Sequence, residues 1–222
     1  MTARMFDCAV PLERERGLAA AESALGEGGL VVLPTDTLYG LAADAFDRDA
    51  VAALVVARGA SAPPPVLVGA PEGMAGLAAD VTHAAEALAD AFWPGGLTLV
   101  CRAQPSLGWG PEAGTVALRM PLHPVALELL ARTGPLAATA ANLAGQAPPT
   151  SAEAARDGLG DVVAVYLDGG PCLDLPPSTI VDTTGEALTV VREGAVTRAE
   201  LVEVVGSDAW ATTGALPARA PA

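Results

Sequence analysis

The chain has 222 residues, a hydrophobic fraction of 51% and a mean hydropathy of +0.41, enough for one domain with a large core, yet no apolar run is long enough to span a bilayer. It carries 26 acidic residues against 12 basic ones, a net charge of −14, and every base is an arginine. The missing lysine excludes Schiff-base and pyridoxal chemistry and a P-loop lysine, and the negative field makes the chain a poor non-specific binder of nucleic acid.

Cys8, Cys101 and Cys172 form no CxxC and no Cys/His cluster, so neither a disulfide framework nor a zinc site is expected. The segment "MTARMFDCAVPLERERG" has no apolar stretch of the kind that begins a secreted chain, which fits a cytoplasmic location.

In chain order, residues 12–27 read as a helix ended by Gly26, Gly28 and Gly29, and Leu30–Leu33 as a strand. Asp49–Ala57 reads as a short helix with Asp49 as N-cap and Val51, Leu54 and Val55 on one face. "RGASAPPP" breaks the chain before a short strand at Val66–Val68. Two short helices follow, near 71–79 and 81–91, then the turn "FWPGG" and the strand "LTLVCR". A Gly- and Pro-rich loop leads into the strand "TVALRM", and "HPVALELLART" is a helix with Pro124 in its first turn. The strand "PLAAT", a helix over 151–158, a strand at Val162–Leu167, the strands "STIVD" and "LTVVR", and a helix capped by Thr197 complete residues 1–206. The segment 207–222 has no periodicity and reads as a frayed tail. About seven strands alternating irregularly with helices predict an α/β fold around a sheet of mixed strand directions.

Ligands in open α/β folds gather at strand ends. Thr35, Asp36, Thr37 and Tyr39 follow the first strand, Arg119 closes "TVALR", and Thr139 and Asn142 follow "PLAA". Ser178 and Thr179 begin "STIVD", and Arg192 closes "LTVVR". Hydroxyls beside arginines suit a small polar anion, whether carboxylate, phosphate or both. A plain structural role stands beside each: Thr35, Asp36 and Thr37 as caps of a following helical turn, and Arg119 paired with a surface acid. His83 and His123 read as surface or cap residues. No carboxylate pair suggests glycosidase chemistry, no GxSxG marks a nucleophilic serine, and no GxGxxG follows a strand.

"LPTDTLYGLAADA", "FWPGGLTLV", "TVALRMPLHP", "TAANLAG", "STIVD" and "VVREG" stand in the order found in the threonylcarbamoyl-AMP synthase, or YrdC-like, family, which the chain resembles over about residues 20–205. The resemblance implies a twisted, open, mixed α/β sheet with flanking helices around a large concave groove. It implies the formation of threonylcarbamoyl-AMP and pyrophosphate from L-threonine, bicarbonate and ATP. The product would pass to a tRNA threonylcarbamoyl-transfer complex for N6-threonylcarbamoyladenosine modification. By the same resemblance, Thr35, Arg119, Thr139 and Ser178 face threonine, with Arg119 on its carboxylate, while Arg58, Thr115, Ala141, Asn142 and Arg192 face ATP. Magnesium would accompany ATP, bound mainly through its phosphates, with no metal ligand assigned to a protein side chain. The net charge argues against tight direct tRNA binding, and nothing implies a membrane partner.

The chain also departs from the family pattern. Where the family carries a KxR segment, "VVARGASAPPPVLV" keeps Arg58 and has no lysine, and in "AANLAG" Ala140 and Ala144 stand in place of two serines, with Asn142 and Gly145 retained. The threonine half is intact and the nucleotide half thinned. Three readings follow: a working synthase, a non-catalytic relative that binds threonine or a related ligand, and a carbamoyl-adenylate enzyme of specialised metabolism acting on another acceptor.

Overall fold

The computed structural model describes residues 3–59, 63–105, 107–109, 114–172 and 176–211. Its strands are β1 (Arg4–Asp7), β2 (Val31–Pro34), β3 (Tyr39–Asp44), β4 (Val66–Leu67), β5 (Ala78–Ala79), β6 (Leu97–Ala103), β7 (Thr115–Arg119), β8 (Leu136–Ala140), β9 (Val165–Asp168), β10 (Thr179–Asp182) and β11 (Thr189–Arg192). Between them lie α1 (Pro11–Gly26), α2 (Arg48–Arg58), α3 (Gly73–Leu77), α4 (His83–Phe92), α5 (Pro124–Thr133), α6 (Ala152–Leu159) and α7 (Arg198–Val205). The strands join in one open, mixed sheet in the order β1-β9-β2-β3-β8-β4-β7-β6-β10-β11, with β5 added to β6.

Strand residues alternate between the two faces of a sheet, and the alternation here decides where a ligand fits. On one face Val32, Leu41 and Ala43 pack with Leu54 of α2 and Ala155 of α6, while Leu97, Leu99, Leu118 and Val181 pack with Leu88 of α4 and Leu201 of α7. That face is covered in both halves. On the other face α1 and α5 cover Val31, Leu33, Ala42, Leu136 and Ala138, all in the half that ends at β8. Beyond β4 the same face carries Thr98 and Arg119, both buried, where a helix-covered face would carry leucines.

The two halves meet through β4, whose two residues pair with Leu118 and Arg119 on one side and with Leu136 and Ala137 on the other. A strand this short is a narrow join between two larger ladders, since the mean strand is about 5–6 residues.

Several local expectations are corrected. The N-cap of α2 is Asp47, whose side chain accepts from the amides of Asp49 and Ala50, so Asp49 lies inside the first turn. "YGLAAD" is β3, a central strand made almost without β-branched residues; pairing with β2 and β8 overrides its weak intrinsic preference. The four-residue β1 also escapes a sequence reading, because "RMFD" has no alternation until it pairs with β9. The helix expected over 71–79 is the shorter α3, followed directly by β5. Thr197 caps α7 as expected, through a capping box with Glu200.

The expected frayed tail is also corrected at its start. Trp210 is buried in the core, and Leu188 pairs with it through a β-bridge. An apolar indole of this size is held by the area it buries, a contribution the lack of periodicity hides. Residues 212–222 lie outside the described residues. Among the described residues, no helix is long and apolar enough to cross a membrane.

Candidate functional site

A cavity of about 220 Å³ lies on the uncovered face. Its floor is low because the register sets Gly40 opposite Ala140 and places Ala138 two residues along the same strand. Pro65 and Leu67 add an apolar edge, and five hydroxyl side chains line the rest: Thr35, Thr37, Thr98, Thr139 and Ser178. Arg119 and Arg192 supply the charge, and among the described residues no carboxylate lines the cavity. The cavity therefore lies across the face of the sheet, not in a row at strand ends as the sequence suggests.

The loop between β2 and β3 forms one wall. Thr35 does not cap a helix. Its hydroxyl donates to the Leu38 carbonyl at 2.6 Å and accepts from the amides of Thr37 and Leu38, both at 3.2 Å. This is a hydroxyl-closed turn, stable without any helix behind it. Tyr39 anchors the loop from below. Its buried hydroxyl donates to the Gly170 carbonyl at 2.6 Å, lies 3.1 Å from a carboxylate oxygen of Asp168 and accepts from the Gly169 amide at 3.0 Å. Burial, with Asp168 adding to it, holds this phenol well above its usual pKa.

Arg119 reaches the same loop from β7. Its Nε donates to the Gly95 carbonyl at 3.0 Å, Nη1 to the Thr37 hydroxyl at 3.0 Å, and Nη2 to Asp36 at 2.7 Å. Asp36 is thus the acid that pairs with Arg119, and the pair is buried, with side-chain exposures of 10% and 12%. Burial lowers the Arg119 pKa, and the Asp36 carboxylate pulls it back up.

Arg192 has a different setting. It donates through Nε and Nη2 to the Ser178 carbonyl, at 3.1 and 2.8 Å, and through Nη2 to the Ser178 hydroxyl at 3.2 Å. Ser178 Oγ lies 2.9 Å from Thr98 Oγ1, which ties the arginine to β6. Among the described residues Arg192 has no salt-bridge partner. Burial lowers its pKa, and the nearby Arg119 charge adds to that. This close packing needs a glycine two residues on: a β-carbon at Gly194 would collide with the Pro177 carbonyl and the Ser178 backbone.

The residues expected from the sequence fall into three places. Thr35, Arg119, Thr139, Ser178 and Arg192 line the one cavity. Arg58, Ala141 and Asn142 meet at the loop that follows β8. There the Ala144 amide donates to the Arg58 carbonyl at 2.8 Å, and the Ala141 amide to the Tyr39 carbonyl at 2.9 Å. Asn142 Nδ2 donates to the carbonyls of Leu143 and Gln146, both at 2.9 Å. Among the described residues its buried Oδ1 has no partner, and neither has the buried Arg58 Nε. Thr115 joins neither group. It starts β7 opposite Arg102, about 13 Å along the strand from Arg119.

Thr37 and Thr98 line the cavity without having been assigned a ligand from the sequence. Thr98 was within reach of a sequence reading, since it is the polar residue that breaks an apolar alternation in "LTLVC". Among the described residues, no three His, Cys, Asp or Glu side chains converge as a metal site.

Comparison with known proteins bears on the same elements. A family model, Sua5/YciO/YrdC, described as "Telomere recombination", matches residues 23–194. A Mycobacterium tuberculosis protein provisionally named a threonylcarbamoyl-AMP synthase is 52% identical over 208 residues, which is 92% of this chain and 96% of the relative. The threonylcarbamoyl-AMP synthase of Bacillus subtilis is 36% identical over 195 residues, 85% of this chain and 56% of that one. The crystal structure of Pyrococcus abyssi Sua5 complexed with L-threonine superposes with a TM-score of 0.83 at 32% identity, covering 93% of this chain and 61% of that one. The chain thus spans nearly all of the mycobacterial relative and little more than half of the other two.

Proposed function

The chain belongs to the Sua5/YciO/YrdC family, and from that premise we propose that it is an L-threonylcarbamoyladenylate synthase, a nucleotidyltransferase that joins L-threonine, bicarbonate and ATP. The observation that carries this reading is the cavity: five hydroxyls, an apolar edge and two arginines, with no acid lining it among the described residues. A hydroxylated amino acid matches that set, its carboxylate drawn to arginine and its methyl to Leu67 and Pro65.

In the proposed reaction the threonine amine takes up bicarbonate with loss of water to give a carbamate. A carbamate oxygen then attacks the α-phosphorus of ATP, and pyrophosphate leaves. Neither step needs a protein nucleophile, and among the described lining residues no general base stands beside the hydroxyls to make one. The residues act by position and charge. The loop at Thr35–Leu38 holds the amino acid against the low floor, and Arg192 meets negative charge.

ATP would lie toward the loop after β8, where the unpartnered Asn142 Oδ1 and Arg58 Nε offer an acceptor and a donor. Magnesium would arrive with the phosphates and offset their charge. The reading places the chain in the cytoplasm, where ATP and tRNA are both present, and hands its product to a separate tRNA threonylcarbamoyl-transfer complex.

Pyrophosphate release is the test. We expect it with ATP, bicarbonate and L-threonine together and not when any one is left out. Threonine binding without pyrophosphate release would convert the reading to a non-catalytic threonine binder. Release with another amine and not with threonine would convert it to a specialised carbamoyl-adenylate enzyme.

A further inference from the structure

We propose that Asp36 is a specificity-determining residue, placed behind the cavity to cancel the charge of Arg119 so that the cavity takes amino acids with uncharged side chains. This rests on the amino-acid reading of the cavity given above.

Asp36 does not line the cavity, whereas Arg119 does. Both of its carboxylate oxygens are engaged on the protein side: Oδ2 accepts from Arg119 Nη2 at 2.7 Å, and Oδ1 accepts from the Leu122 amide at 3.0 Å. Asp36 is set away from the ligand and acts through Arg119, as a positioning residue. The backbone bond from Leu122 fixes the carboxylate, and the carboxylate with Thr37 and Gly95 fixes the guanidinium fork.

The consequence lies in the sum of charges. Among the described residues the cavity lining holds two arginines and no acid. With Asp36 paired to Arg119, one of those charges is neutralised at its source, and among the described residues Arg192 has no acid to compensate it. An amino acid then finds one net positive charge in the cavity, enough to balance its α-carboxylate, and hydroxyls for its side chain. L-Aspartate is close to L-threonine in size and brings a second negative charge, for which the neutral Asp36–Arg119 pair offers no net attraction. Without Asp36 the same cavity would hold two uncompensated cations and would favour the dicarboxylate.

The experiment measures dissociation constants of L-threonine and L-aspartate by calorimetry on the full chain. It compares the unmodified protein, Asp36→Asn, Arg119→Gln and the double variant Asp36→Asn/Arg119→Gln, with thermal melting of each as a folding check. Asp36→Asn should shift the threonine-to-aspartate preference toward aspartate by about tenfold or more. Arg119→Gln should shift it the other way, because Asp36 is then unpaired behind the cavity. The double variant restores a neutral pair and should return the preference to within about threefold of the starting value. If Asp36→Asn does not fold, the comparison of Arg119→Gln with the double variant carries the test by itself.

Equal weakening of both ligands in every variant would overturn the proposal, because a purely structural ion pair loses affinity without changing charge preference. An unmodified protein that binds no L-threonine would overturn the amino-acid reading instead. That outcome is separate, since it is read before any variant is made.

Discussion

The cavity wall and the loop after β8 are neighbours in the fold and differ in how far their polar atoms are satisfied. At the wall, Arg119 has three partners, the Thr35 hydroxyl closes its own turn, and the Tyr39 hydroxyl is shared among three groups. At the loop, Arg58 Nε and Asn142 Oδ1 are buried with nothing to bond among the described residues. A buried polar atom without a partner costs about 1–3 kcal/mol, so the loop carries a debt the wall does not. The wall is set before a ligand arrives. The loop gains its missing bonds from one, which suits a region that holds a substrate by completing itself.

Breaking the wall should have the largest effect. Arg119→Ala leaves the Asp36 carboxylate buried without its partner, and should lower stability by about 3–5 kcal/mol and weaken threonine binding. Denaturant unfolding and threonine titration check both halves. Arg192→Ala should also weaken threonine binding while costing much less stability, since no buried acid is stranded. Equal stability losses in the two variants would erase the distinction drawn here between a paired and an unpaired arginine.

The loop should answer to smaller changes. Asn142→Ala removes the acceptor and should raise the KM for ATP about tenfold, with the KM for threonine unchanged. Steady-state kinetics with each substrate varied in turn reads this directly. In the opposite direction, Ala144→Ser should lower the KM for ATP, because it returns a hydroxyl to a nucleotide side that has few. An unchanged KM would mean that other residues hold the nucleotide.

The smallest effect concerns pH. His123 precedes α5, and burial lowers its pKa below the ordinary 6.5, with Asp36 pulling the other way. The unfolded chain therefore takes up a proton more readily than the folded one, and folded stability falls as pH drops through about 6.5 toward the lower native value. Melting temperatures between about pH 7 and pH 5 should show this slope, and His123→Asn should flatten it.

Much of the second half of the sheet was legible. The apolar alternation of "LTLVC" and "TVALR" shows which face is core, and the polar residues between, Thr98 and Arg119, are those that reach the cavity. The pairing of Asp36 with Arg119 was not legible, because 83 residues separate them and no local pattern couples them. The position of the cavity was also hidden. It depends on α1 and α5 covering only one half of a face, a matter of how helices are spread over the sheet. No strand by itself records that.

The two-residue β4 has a consequence for motion. Among the described residues it is the sheet's only ladder between the half ending at β8 and the half beginning at β7. Its few hydrogen bonds make it the place where the sheet can open with the least loss, so in amide hydrogen exchange Val66 and Leu67 should exchange ahead of the central residues of β3 and β6. The cavity lies across this join, with Thr35 and Thr139 on one side and Arg119, Ser178 and Arg192 on the other. A bound amino acid would then work as a rivet through the seam, and slowed exchange at β4 would report its arrival from the far side of the sheet's weakest stitch.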